Sequence, residues 1–364
     1  MNLRDIQAGR GGALGVAARV GLAAGSALFG AGAALRRGAY AVGLRGRHAL
    51  SVPVISVGNL TAGGTGKTPF TVWLARALLA AGRRPGVLSR GYGARAEGSL
   101  LSDEGAVRAA LLGPTVPQVE TPDRVRGGAS LLAAHHEIDV LLLDDGFQHV
   151  RLRRDLDVVL LDATDPFGGG HLLPRGLLRE RPSALARAGV VVINRAERVT
   201  AHALAAIRGR VAALAPEAVV AVARLRPRAL LGLEGGERPL AELRGSKVHA
   251  WAGIGNPHAF AGTLEDLGAH VVGATFARDH HRPTDDEVAS VAAAAVGQGA
   301  DRVVVTLKDL VKLSGRSGLP PGLVAVDVEL EITDGERALL DRVHAALARP
   351  PRPPHLGGDP PEPP

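Results

Sequence analysis

The sequence predicts an α/β fold: a parallel sheet wrapped by helices. Three observations carry this. Short, largely apolar runs recur at 52–57, 138–143, 156–161 and 190–194, the pattern of strands covered on both faces of a parallel sheet. Stretches of helical length separate them, the alternation of a doubly covered sheet. The first run leads into a glycine-rich loop, and a helix is predicted behind it over 70–81.

That loop contains Thr61, Ala62, Gly63, Gly64, Thr65, Gly66, Lys67 and Thr68. Strand, glycine loop, Gly-Lys-Thr and helix form a phosphate-binding-loop (P-loop) arrangement, so the sheet is expected to be P-loop NTPase-like. Glycines let backbone N–H groups close around phosphate oxygens because no Cβ intervenes. The positive end of the following helix favours anions. Lys67 is the residue to reach the β- and γ-phosphates, and Thr68 offers a hydroxyl to Mg²⁺. Thr61 stands where the general pattern has its first glycine.

Composition narrows the partners. At 364 residues the chain is long enough for two domains. A net charge of +7 and a pI near 10.5 favour anionic partners: a nucleotide, a phosphorylated substrate or an anionic membrane surface. Aromatic residues make up 3%, which leaves little for stacking bases and speaks against a nucleic-acid partner. With no cysteine, disulfides and thiolate metal sites are excluded.

Residues 1–50 form an apolar lead-in. The run 20–35 carries no charge and is flanked by Arg19, Arg36 and Arg37. Sixteen residues of helix span roughly 24 Å, short of the ~20 residues that cross a bilayer. The run therefore reads as a membrane-associated helix, lying on the surface or partly inserted, with arginines suited to anionic head groups. Beyond the P-loop helix, a strand over 84–89 ends in Ser89-Arg90-Gly91-Tyr92-Gly93, and Ser102-Asp103-Glu104 opens a helix. The strand 138–143 runs into Asp144 and Asp145. Acidic residues at a strand end beside a P-loop are placed to hold Mg²⁺. Asn194-Arg195-Ala196-Glu197 lies where GTPases carry Asn-Lys-x-Asp, but Arg195 and Glu197 replace the residues that read guanine. The second half, 221–349, reads as a smaller α/β domain after a core domain of 51–220, and 350–364 is a Pro-rich tail expected to be disordered.

These segments together resemble one family, the tetraacyldisaccharide 4′-kinases of Gram-negative lipid A biosynthesis. The resemblance covers about 40–313. It rests on VGNLTAGGTGKTP at the loop, LSRGYG at 88–93, DDGFQH at 144–149, LPRGLLRE at 173–180, GIGNP at 253–257, Asp279-His280, and TLKDLVKL at 306–313. The family also carries Thr at the position of Thr61. The resemblance implies ATP- and Mg²⁺-dependent transfer of a γ-phosphoryl group to the 4′-hydroxyl of an anionic glycolipid, tetraacyldisaccharide 1-phosphate, giving lipid IV-A. It implies a protein on the cytoplasmic face of the inner membrane, held by its N-terminal helix. Thr61 to Thr68 then bind ATP, and Asp144 and Asp145 belong with the metal. Asp103 is the base, working with His280, although its flanks, Ser102 and Gly105, depart from the family's Gly-Asp-Glu-Pro. A metal-chaperone-like P-loop GTPase is the alternative reading, which nucleotide preference would separate.

Overall fold

The computed structural model describes residues 12–91, 101–255, 257–278 and 281–348. In chain order the first elements are α1 (Gly12–Ala41), β1 (Val54–Asn59), α2 (Lys67–Ala80), β2 (Pro85–Ser89), α3 (Asp103–Leu112) and β3 (Gln118–Glu120). Next come α4 (Arg124–Ala134), β4 (Val140–Asp144), β5 (Leu156–Asp162), β6 (Val190–Asn194), α5 (Ala201–Leu214), β7 (Val219–Leu231) and β8 (Glu237–Arg238). The last are β9 (Lys247–Ala252), α6 (Pro257–Asp266), β10 (His270–Phe276), α7 (Asp285–Gly297), β11 (Arg302–Thr306), α8 (Leu307–Leu313), β12 (Val324–Asp334) and α9 (Glu336–Leu347).

Two compact units divide the chain. One comprises Met1–Arg90, Pro114–Arg224 and Leu330–Pro364; the other comprises Gly91–Gly113 and Leu225–Glu329. Residues 101–113 group with the second unit, where α3 packs Val107 and Leu111 on its core, and residues 330–348 group with the first.

In the first unit the strands run β3-β2-β4-β1-β5-β6-β7, all parallel. Every residue of β1, β4 and β6 is buried, as strands covered on both faces must be. Because β1 lies between β4 and β5, chain connections leave it towards both sides. A ligand crevice is expected at the carboxyl ends of strands around such a point. Val57 is in register with Asp144, so the acidic end of β4 stands beside the strand that feeds the P-loop. The helix behind the loop starts at Lys67, earlier than the predicted 70, with Pro69 in its first turn. A proline is tolerated there because that N–H has no intrahelical partner.

The second unit holds strands in the order β10-β9-β11-β12-β7, with β8 antiparallel on β7. Its core joins Val248, Ala250, Val304 and Val324 on one side, and Trp251, Val303, Leu310 and Leu313 on the other.

The N-terminal helix is longer than the uncharged run suggested. It spans 30 residues and continues through Arg36 and Arg37, both good helix formers, to stop ahead of the left-handed Gly43. The 24-residue segment Ala18–Ala41 is long and apolar enough to cross a membrane by length and composition. A stripe of Leu22, Ser26, Gly30, Ala33, Arg37 and Tyr40, at helical spacing, is partly or fully buried. Val20, Leu28, Phe29 and Leu35 are exposed.

Candidate active site

The phosphate loop is held by three separate stretches of the first unit. Asn59, the last residue of β1, donates from Nδ2 to Thr65 Oγ1 at 3.1 Å and to the Gly63 carbonyl at 3.4 Å. Asn194, the last residue of β6, donates to the Thr65 carbonyl at 3.0 Å. The segment 172–180 pairs with the loop entrance: Ala62 N donates to Leu177 O and Arg179 N to Leu60 O, both at 2.7 Å. Thr61 sits in that pairing, opposite Leu178. It does not adopt a positive φ, which among described non-glycine residues only Asp145 and Arg195 do. A side chain is therefore acceptable where the general pattern has glycine.

Gly66 has no such latitude. It caps α2 with φ 87°, and a Cβ there would stand 2.2 Å from Asn194 Nδ2. The Asn194 motif thus serves the loop itself, while Arg195 pairs with Asp162.

Asp144 and Asp145 occupy the end of β4. Asp144 is 5% exposed, and one of its oxygens accepts the backbone N–H of Asp145 at 3.0 Å. Asp145 is left-handed, with φ 52°. Its carboxylate holds two cations: Lys67 Nζ at 3.4 Å and Arg179 Nη1 at 2.8 Å. Burial pushes Asp145 up, but Lys67 and Arg179 outweigh it and hold the carboxyl below its usual range.

Beside this pair lies Glu180, 3% exposed at its side chain. It accepts from Arg187 at 2.9 and 3.1 Å and from Gln148 at 3.2 Å, and it pairs with Arg37 of α1. Gln148 in turn donates to the Asn59 carbonyl at 2.9 Å. Burial raises the Glu180 carboxyl, and the two arginines lower it further than burial lifts it. The same segment receives α1: Ser26 Oγ donates to Leu172 O at 2.8 Å and accepts from Arg175 N at 3.1 Å. His149, also buried, is pushed down to about 3 by burial and by the charges of Arg124, Arg154, Arg36 and Arg151.

In the second unit, Asp103 is the first residue of α3, behind Ser102, whose hydroxyl caps the helix by accepting from Gly105 N. Its carboxylate lies 3.5 Å from Lys312 Nζ and 3.8 Å from Arg282. His280 and Asp279 lie outside the described residues, as do 92–100 of the glycine-rich strand-end loop and the Pro-rich tail. His281 is described: its ring pairs with Glu287 at 2.9 Å, in the capping turn of α7.

The structure thus places Lys67 against Asp145, next to Asp144 at the carboxyl end of β4. The roles of Arg179, Glu180 and Asn194 were not legible from sequence. LPRGLLRE was visible as a motif, but nothing local says that its last two residues face a carboxylate and an arginine pair. Lys312 and Asp309 are hidden in the same way within TLKDLVKL.

Among known proteins, a family model described as LpxK, tetraacyldisaccharide-1-P 4'-kinase, matches residues 18–347. A tetraacyldisaccharide 4'-kinase of Anaeromyxobacter sp. (strain Fw109-5) is 43% identical over 341 residues, covering 88% of this chain and 90% of that relative. The one of Geobacter sulfurreducens is 40% identical over 339 residues, covering 88% and 92%. The crystal structure of LpxK from Aquifex aeolicus in complex with ATP superposes with a TM-score of 0.70 at 28% identity, over 90% of this chain and 99% of that one. With the P-loop, the acidic strand end and the second α/β unit all present in one matched span, the chain belongs to the tetraacyldisaccharide 4'-kinase family.

Proposed function

We propose that this protein phosphorylates the 4′-hydroxyl of tetraacyldisaccharide 1-phosphate with ATP, forming lipid IV-A at the cytoplasmic face of the inner membrane. The observation that carries the reading is an intact P-loop, with Lys67 on Asp145, inside a span matched by the family from 18 to 347.

In the reaction the 4′-oxygen bonds to the γ-phosphorus, and the bond from that phosphorus to the β–γ bridging oxygen breaks. ADP leaves with the electron pair, and the hydroxyl proton passes to a carboxylate. Residues 61–68 cradle the phosphates, and Lys67 offsets the charge developing on the transferred group. Asp103 is the proton acceptor, with His280 orienting it.

The donors suit Mg²⁺. Thr68 is the second residue of α2, and two carboxylates, Asp144 and Asp145, stand at and just past the end of the adjacent strand. No cluster of three or more His, Cys, Asp or Glu suited to a metal occurs among the described residues. One or two carboxylates completed by substrate phosphates is the ordinary Mg²⁺ arrangement. Thr68, Asp144 and Asp145 would hold the ion, which supplies charge neutralisation at the phosphate oxygens. The exposed apolar flank of α1, with arginines at both ends of its uncharged run, fits a membrane carrying anionic lipid.

Incubation with ATP, Mg²⁺ and the disaccharide 1-phosphate lipid, followed by mass measurement, tests the reading. The lipid should gain one phosphoryl group. Nucleotide hydrolysis with an unchanged lipid mass would overturn it.

A further inference from the structure

The most deeply buried ammonium near Asp103 belongs to Lys312, whose side chain is 1% exposed. A buried cation is costly unless its charge and N–H groups are matched. Lys312 Nζ stands 3.5 Å from Asp103 Oδ2 and 3.4 Å from Asp309 Oδ1, and donates to the His281 carbonyl at 3.2 Å. All four residues lie in the second unit.

The anchor is Asp309. Its Oδ2 accepts from Gly253 N at 3.1 Å and from Thr306 Oγ1 at 2.6 Å, and its own N–H donates back to that hydroxyl at 3.3 Å, closing the N-terminus of α8. A Cβ at position 253 would stand 3.1 Å from Asp309 Oδ1, so glycine admits this approach. Asp309 is therefore tied to the end of β9 and to the end of β11. Lys312, one helical turn on, links that anchor to two other segments: the first turn of α3, where Asp103 sits, and the carbonyl of His281, next in sequence to His280. A compact ammonium on a flexible stem can serve both partners at once, which a planar guanidinium with a fixed fork cannot.

We propose that Lys312 is a positioning residue for phosphoryl transfer. It holds the Asp103 carboxylate and the backbone beside His280 in register with each other, and acts on the reaction through Asp103. The proposal rests on the reading of Asp103 as the base.

The test uses full-length protein in lipid vesicles, with kcat, the ATP KM and the melting temperature measured together. Lys312→Met keeps the volume of the stem and removes the charge. It should lower kcat about 30-fold or more while the ATP KM stays within about twofold, since its partners Asp103, Asp309 and the His281 carbonyl belong to the acceptor side of the proposed reaction and not to the phosphate loop. Asp103→Ala should lower kcat by about 10²–10⁴. The double variant should be no more than about threefold worse than Asp103→Ala, because residues that act as a unit are not additive.

The absence of cysteine from the chain allows a second route. A Lys312→Cys thiol is unique, and aminoethylation during refolding rebuilds an ammonium at that place. It should restore at least about tenfold in kcat, whereas a neutral carbamidomethyl group should not; this arm also serves if Lys312→Met does not fold. Wild-type kcat in folded Lys312→Met, losses that multiply in the double variant, or equal rescue by the neutral group would each overturn the proposal. Undiminished kcat in Asp103→Ala instead removes the base reading, and the positioning role with it.

Discussion

Arg179 and Asp145 form an ion pair in which one guanidinium nitrogen reaches both carboxylate oxygens, at 2.8 and 3.0 Å. Lys67 approaches the same carboxylate at 3.4 Å. The P-loop lysine is thus paired with the acidic residue that follows the end of a neighbouring strand. Asp145 is left-handed there, a backbone cost of order 1–3 kcal/mol for a non-glycine residue. The two cations justify that cost only with a carboxylate present.

From this pairing, Lys67→Ala should reduce turnover to background, since the transferring phosphoryl group loses its principal protein cation. Asp145→Asn should keep the fold but impair Mg²⁺-dependent turnover at least about tenfold. Its stability difference from wild type should depend on pH. The Asp145 carboxyl is lowered in the folded protein, so its contribution is present above the ordinary value of 3.8 and is lost as pH falls through the lower folded value. Urea unfolding at pH 7 and near pH 3 measures this. Normal rates and Mg²⁺ dependence in both Asp144→Ala and Asp145→Asn would mean that the metal is held elsewhere.

Gly66→Ala should be more damaging than its size suggests. The new Cβ would meet Asn194 Nδ2 at 2.2 Å, and the residue would keep φ 87°. Loss of ATP binding and a destabilisation of about 1–3 kcal/mol are expected, from strain and from the displaced Asn194 bond. Calorimetric ATP titration decides it; unchanged affinity would show that Asn194 yields freely.

Glu180→Ala should destabilise the first unit by about 3 kcal/mol, because Arg187 and Arg37 would lose a buried partner. It should also loosen α1, whose Arg37 and Ser26 dock on 172–180. Limited proteolysis near residue 41 should quicken in this variant. Deleting residues 1–36 should release the protein from membranes, as fractionation would show; a truncated chain that still pellets fully has another anchor.

His149 should make stability acid-sensitive well above carboxylate pH. Its folded value, about 3, lies below the ordinary 6.5, so the unfolded chain binds a proton there first. Stability should fall as pH drops below about 6.5, with one proton linked, until the folded value is reached. His149→Leu should flatten that slope. An NMR titration showing His149 charged at pH 5 would contradict the assignment.

The parts of this protein legible in the sequence are those whose chemistry is local. A P-loop needs a buried strand, glycines with open φ and a helix start in one continuous stretch, so 54–80 announces itself. Asp144 and Asp145 follow from the strand that ends in them. The limits of α1 were less legible, because charge marks where a helix meets water and not where its hydrogen bonds stop. Other features arise from pairs far apart in the chain. Asn194 closes on Thr65 across 129 positions, Arg37 on Glu180 across 143, and Arg179 on Asp145 across 34. The sequence supplies each partner, but a buried ion pair or amide bond between them depends on which strand ends the sheet brings together. The same holds for α3: its residues lie between strands of the first unit, yet Val107 and Leu111 find their apolar surface on the second. Burial of those side chains, and the seating of Lys312 between Asp103 and Asp309, is what tertiary structure alone decided.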